Sequence, residues 1–251
     1  MSDLLLVIIF AVISSGVSLT GGLLLLASKH RQKLAHYATA FAAGALLAAA
    51  FIDLLPEAIS NGDVKIVCLF TLIGILAFFL LEGFVKWFHS HQQHGKKESS
   101  DPVVPLIIIG DTIHNFIDGI AIAAGFLVDP TMGIVVVVAV AAHEIPQEIG
   151  DFGMLLHKGV KRGKVILFNA LSSLATVIGA VIFFLIGEQN DFPLEPTLAL
   201  IAGFFIYIAV SDIIPSIHNE KSRKSVARDS CLLLLGVLIV SAIIYVLRNL
   251  V

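Results

Sequence analysis

The sequence predicts an all-α membrane protein: eight transmembrane helices in a 3+2+3 inverted-repeat arrangement, with both termini outside. Three observations predict it: apolar runs fill most of the chain, basic residues fall on one side of those runs, and one acidic-proline element recurs in opposite orientations. Of the 251 residues, 57% are hydrophobic and only 14% charged, with a mean hydropathy of +0.96. That is roughly half the charge of a soluble domain.

The apolar runs fall at about 4–28, 36–57, 64–88, 103–127, 132–157, 164–187, 196–217 and 230–248. Each approaches the ~20 residues that an α-helix needs to cross hydrocarbon. What remains is loops and tails, so residues 1–251 read as a single transmembrane domain with a His-containing cytosolic loop at 89–102. A soluble catalytic domain has no room. A formal net charge of −3 with scattered bases excludes a nucleic-acid binder. The first run has no Lys or Arg before Leu4 and reads as a retained helix rather than a secretory signal.

Orientation follows from the bases. Lys29, Arg31 and Lys33 lie between the first and second spans; Lys86 lies at the end of the third, and Lys96 and Lys97 between the third and fourth. Lys158, Lys161, Arg162 and Lys164 follow the fifth span, and Lys221, Arg223, Lys224 and Arg228 follow the seventh. The other side has only Lys65 and Arg248. By the positive-inside rule the odd-numbered loops are cytosolic. Cys68 and Cys231 then lie near opposite faces and cannot pair.

The second span ends Asp53-Leu54-Leu55-Pro56-Glu57 and the seventh ends Asp212-Ile213-Ile214-Pro215-Ser216. The same element near the outer face in one and the inner face in the other is what an inverted-topology repeat produces. Spans 1–3 and 6–8 are then related across the membrane, with the fourth and fifth at the centre. Ala38 to Phe51 is nearly all Ala, Gly and Leu, which permits close helix approach.

Nine carboxylates fall within or at the ends of spans: Asp53, Glu57, Glu82, Asp111, Asp118, Glu144, Glu148, Asp151 and Asp212. No Lys or Arg is expected among them in the span interiors. An ionised carboxylate at the centre of a membrane helix costs at least about 2.5 kcal/mol, so an imported cation or protons must offset them. Asp111, His114, Asn115 and Asp118 share one stripe of the fourth span, at i, i+3, i+4 and i+7. In the fifth, His143 pairs with Gln147 and Glu144 with Glu148 at i, i+4, and Pro146 frees the carbonyl of Ala142. His114 and His143 each lie about 16 Å into their spans at ~1.5 Å per residue, entering from opposite faces. Imidazoles and carboxylates meeting at mid-depth suit Zn, Mn or Fe(II), and the lack of thiolates argues against Cu(I). His89, His91 and His94 in the cytosolic loop read equally as weak metal binders or as a solvated polar segment.

At His114-Asn115-Phe116-Ile117-Asp118-Gly119 and His143-Glu144-Ile145-Pro146-Gln147-Glu148-Ile149-Gly150-Asp151 the sequence resembles the ZIP family of divalent-metal transporters. The resemblance implies a 3+2+3 fold and a two-metal centre between the fourth and fifth helices. It places His114, Asp118, His143 and Gln147 around one ion, and Asn115 and Glu144 on the adjacent ion with Glu148 contributing. Gln147 stands where the branch with His-Glu-x-Pro-His-Glu has its second His, a neutral and weaker ligand. Asp53 and Glu57 occupy positions often held by His in related members, making the entrance more acidic.

The expected function is import of Zn²⁺, with Fe²⁺, Mn²⁺ and Cd²⁺ open. The metal is substrate rather than cofactor. Asp53 and Glu57 would attract it outside; Asp111, Asp151, Asp212 and His157 or the loop histidines would pass it inward. Partners are the bilayer and divalent ions, with a homodimer left open. The lack of sequons and of room for an ectodomain makes a prokaryotic inner membrane the expected setting. A zinc-dependent intramembrane hydrolase is the alternative, but its His-Glu-x-x-His signature fails at Gln147. A cation-diffusion exporter would need six helices and a cytosolic C-terminal domain.

Overall fold

The computed structural model describes residues 3–27, 30–91, 103–189, 192–215 and 223–250. Eight helical rods, each long and apolar enough to cross a membrane, account for nearly all of them, and no strand occurs among the described residues. They are α1 (Asp3–Ala27), α2 (Arg31–Ala48, continuing through Ala49–Leu54 and Leu55–Asn61), α3 (Val64–His91) and α4 (Val103–Val128). There follow α5 (Pro130–His157), α6 (Arg162–Gln189), α7 (Leu194–Tyr207, continuing through Ile208–Ile213) and α8 (Arg223–Leu250). The last rod starts at Arg223 rather than near 230, because helical hydrogen bonding continues beyond the apolar run into the polar segment before it.

Local chemistry sets the ends that frame the centre of the molecule. Asp129 caps α5: its Oδ1 accepts from the Met132 amide at 3.0 Å, and Pro130 occupies the first turn, where no N–H is needed. At the other end Gly159, at φ +79°, takes the left-handed conformation. The Gly159 amide then donates to Leu156 O at 3.0 Å and the Val160 amide to Leu155 O at 3.1 Å, closing a Schellman motif that turns the chain into α6.

Two of the rods are not α-helical throughout. Ala49–Leu54 in α2 and Ile208–Ile213 in α7 are π-helical, and each precedes a proline, Pro56 and Pro215. Proline brings no N–H and collides with the carbonyl four residues back. Widening to i→i+5 bonding relieves the collision without breaking the helix. The aspartate of each acidic-proline element, Asp53 or Asp212, sits on its π segment.

α4 packs mainly on α6, α3 on α7 and α2 on α8, while α1 lies against α5 and α6. The α2–α8 contact is backbone on backbone. A Cβ at Gly44 would strike the Leu233 carbonyl, and one at Gly236 the Phe41 carbonyl. The small-residue run of α2 serves this approach: Ala40, Ala42, Ala43, Ala45, Ala48, Ala49 and Ala50 are all buried. Large apolar side chains such as Phe79, Leu80, Leu234, Leu238 and Tyr245 of α3 and α8 point outward and are exposed, as suits a lipid-facing surface. Most of the buried polar groups lie on α4, α5 and α6.

Candidate metal centre

His114 and Asp118, one helical turn apart on α4, face His143 and Glu144, consecutive on α5. All four are buried, and one ligand atom from each lies within 4.8 Å of every other. His114 Nε2 is 3.2 Å from His143 Nε2, 3.5 Å from Asp118 Oδ2 and 3.4 Å from Glu144 Oε1. His143 Nε2 is 3.2 Å from Asp118 Oδ2. Metal–ligand bonds of about 2.0–2.2 Å give a tetrahedron edges of roughly 3.3–3.6 Å. Four of the donor separations therefore already approach those of a four-coordinate ion.

The surroundings prepare these atoms as ligands. His143 Nδ1 lies 3.0 Å from the Ala139 carbonyl oxygen. A carbonyl only accepts, so Nδ1 carries a proton, which leaves Nε2 as the atom that a neutral ring would offer to a metal. Asp118 Oδ2 and Glu144 Oε1 are buried and have no hydrogen-bond partner, although both lie near imidazole nitrogens. Phe78 meets the His114 ring edge-on at 5.7 Å between centroids, and Phe205 meets His143 at 6.1 Å. These rings form apolar walls that hold the imidazoles in orientation and limit competing water.

A second polar layer joins α4 to α6. Ser172 Oγ donates to Asp111 Oδ2 in a short bond. Asn115 Nδ2 donates to Asp111 Oδ1 at 3.0 Å, and Thr176 Oγ1 donates to Asn115 Oδ1 at 2.9 Å. Asp111 and Asn115 are thus clamped to α6, and the Asn115 oxygen keeps one lone pair free. Ser18 on α1 lies 3.5 Å from Glu144 Oε2. Taken one by one, Ser18, Ser172 and Thr176 do not stand out in their own spans, and only the packing brings them to the centre. For α6 the signal was present: Asn169, Ser172, Ser173 and Thr176 form a polar stripe at i, i+3, i+4 and i+7, and all four are buried.

The remaining expected residues divide. Glu148 is buried with both carboxylate oxygens lacking a hydrogen-bond partner. Gln147, one turn beyond His143, is half-buried, as is Asp151. The backbone places Asp212 on the α7 π segment, but its side chain, like those of Glu82, His89, His91 and His157, lies outside what the structure describes, as does the whole of His94.

Asp53 requires a correction. The spans alone predict no basic partner for it, yet Arg248 Nη2 from the last turns of α8 donates to Asp53 Oδ1 at 2.7 Å and lies 3.7 Å from Glu57 Oε2. The close α2–α8 packing brings a terminal arginine within reach of a fully buried carboxylate, which spacing along one span cannot reveal. Cys68 and Cys231 are both free and exposed.

A family model described as ZIP Zinc transporter matches residues 2–105 and 90–244. The chain belongs to the ZIP family. Among similar proteins, zinc transporter ZIP6 of Homo sapiens is 37% identical over 146 residues, covering 56% of this chain and 19% of that protein. Zinc transporter ZIP4 of Mus musculus is 35% identical over 121 residues, 47% of this chain and 18% of that protein. Zinc transporter ZIP13 of Pongo abelii is 32% identical over 216 residues, 79% of this chain and 63% of that protein. The chain thus spans only about a fifth of the length of ZIP6 and under two thirds of ZIP13. For the ZIP chain the eight apolar helices and the family together establish a multi-pass membrane protein.

Proposed function

We propose that the chain carries Zn²⁺, or a divalent cation of similar chemistry, across a membrane into the cytosol through the centre between α4 and α5. The observation that carries this reading is the buried set His114, Asp118, His143 and Glu144, whose donor atoms converge inside a bundle of membrane-length helices. Two carboxylates balance a divalent charge, and two neutral imidazoles complete the shell. The names of the relatives, all zinc transporters, support zinc as the default cargo.

Asp53 and Glu57 form the outer approach, and the four-residue centre replaces the ion's water shell near mid-depth. Asp111, Asp151 and Asp212 lead inward. Gln147 adds a neutral ligand beside this four-donor shell, while Asn115, Glu148 and the second carboxylate oxygen of Glu144 serve an adjacent ion. The pair of unpartnered oxygens on buried Glu148 supports that second position, since a buried charge needs a counter-charge. No resident cofactor is required: the metal is the cargo. Ligand exchange rather than tight retention is the chemical demand, because an ion held as in a structural zinc site would not leave.

Both termini lie outside in this reading, and α1–α3 and α6–α8 form inverted repeats around α4 and α5. Two π segments bearing an aspartate ahead of a proline support the repeat. So does the pairing of α2 with α8 and of α3 with α7, since exchanging the repeats turns one pair into the other. Rocking of one helix group against another then gives alternating access. The relatives named above are from animals and lend no support to a prokaryotic inner membrane. A hydrolase is disfavoured, because two carboxylates and two imidazoles close the centre without reserving a position for an attacking water.

The test is entry of radiolabelled zinc into sealed proteoliposomes. Native protein should exceed empty vesicles, and His114→Ala and Asp118→Ala, folded as judged by elution and helicity, should lose at least nine-tenths of that entry. Native protein that binds zinc stoichiometrically but never moves it would sink the transport reading.

A further inference from the structure

Arg248 is one of two basic residues that the charge distribution leaves on the outer side, and it does not project freely into water. Its Nη2 lies between two carboxylates one turn apart on α2: 2.7 Å from Asp53 Oδ1 and 3.7 Å from Glu57 Oε2. Asp53 is 0% exposed and its other oxygen, Oδ2, is buried without a hydrogen-bond partner. Glu57 is oriented toward this arrangement by Asn61, whose Nδ2 donates to Glu57 Oε1 at 2.8 Å. The arginine side chain itself remains 43% exposed. A long, half-exposed side chain can withdraw to water, whereas the carboxylate beneath it cannot.

We infer that Arg248 is a tethered counter-cation which occupies the outer carboxylates Asp53 and Glu57 in the empty protein and is displaced by the incoming divalent ion. This rests on the transport reading above, with Asp53 and Glu57 on the ion's path. The physical logic is exchange. A fully buried carboxylate with no cation is costly, so the chain supplies one from α8 until metal arrives. A guanidinium is weakly hydrated and bonds carboxylates through N–H groups, but it carries one charge where the metal carries two. The metal therefore wins when its local concentration suffices, and monovalent ions do not. Arg248 sets the threshold for entry and discriminates by charge. The close α2–α8 packing at Gly44 and Gly236 keeps the tether in register.

Zinc entry into proteoliposomes separates the cases. Arg248→Gln should lower the apparent KM for zinc by about threefold or more, the scale of a partly exposed ion pair, while Arg248→Lys stays near native. Lys65→Gln, which removes the other outer base, should leave KM unchanged, and the effect of Arg248→Gln should vanish in an Asp53→Asn background. An unchanged or raised KM in Arg248→Gln, with native entry intact, overturns the inference and leaves the transport reading standing. Absence of native entry strikes the transport reading instead. Should Arg248→Gln fail to fold, the native chain still decides. Phenylglyoxal should modify Arg248 faster with zinc bound than without, read by mass spectrometry of the C-terminal peptide; equal or slower modification rejects displacement.

Discussion

An imidazole at position 147 would stand one turn of α5 beyond His143, where Gln147 offers only a neutral amide oxygen. Imidazole is the better ligand for zinc, so Gln147→His should tighten equilibrium zinc binding by about tenfold, equivalent to about 1.4 kcal/mol. The same change should slow release and lower maximal entry, because the ion must leave as well as arrive. Titration calorimetry and uptake on the same preparation check both; unaltered affinity would place residue 147 outside the ligand shell. Protons supply a second residue-scale test. His114 and His143 ligate only as neutral rings, and an ordinary imidazole protonates near pH 6.5. Falling pH adds protons that must be released before metal binds, so affinity falls as pH falls. Between pH 7.5 and 5.5 zinc affinity should drop at least about tenfold, and a flat profile would remove the imidazoles from the site. The convergence of His114, Asp118, His143 and Glu144 was legible in the sequence because i, i+4 spacing on α4 and adjacency on α5 fix their faces. The partners of Asp111 and Asn115 were not. Ser172 and Thr176 lie 61 residues away on α6, and only helix packing decides which stripe they meet.

Helix contact is where backbone approach becomes testable. Gly44 and Gly236 let α2 and α8 touch main chain to main chain, and a Cβ at Gly44 meets the Leu233 carbonyl, which cannot rotate aside. Gly44→Val must separate the helices, with an overpacking cost of about 1–3 kcal/mol. It should lower the thermal midpoint in detergent and also loosen the Arg248–Asp53 pair that depends on this register. Gly16→Ala on α1 meets nothing within 4 Å and should leave the midpoint no lower, or raise it slightly through better helix propensity, which separates packing from a general intolerance of glycine replacement. Equal midpoints for both variants would mean that the α2–α8 contact contributes little. At this scale the sequence revealed the rods through their apolar runs and hinted at the interface through the alanine-rich stretch of α2. It did not reveal the π segments. Pro56 and Pro215 announced a disturbance, but a kink, a break and a widened turn all answer the same lost N–H. Which of them forms depends on the neighbours that hold the helix straight.

For the whole molecule, the distribution of bases makes a claim about sidedness that the helices alone do not contain. Lys161 lies in the turn between α5 and α6, Arg162 opens α6, and Lys65 lies in the first turn of α3 at the other end of the bundle. All three are exposed. With both termini outside, position 65 faces the exterior and position 161 the cytosol. The two native cysteines are free and exposed, so Cys68→Ser and Cys231→Ser provide a background without thiols. In it, a membrane-impermeant maleimide applied to sealed cells should label Lys65→Cys at once and Lys161→Cys only after permeabilisation. Sidedness determines more than a diagram. It decides whether Asp53, Glu57 and Arg248 meet the ion on entry or on exit, and hence whether the four-residue centre fills from their side. The reverse labelling pattern would turn the proposed importer round and make Arg248 a gate on release. Labelling of both positions in sealed cells would signify mixed insertion, and the asymmetry of bases, fourteen against two, would then have failed to set topology.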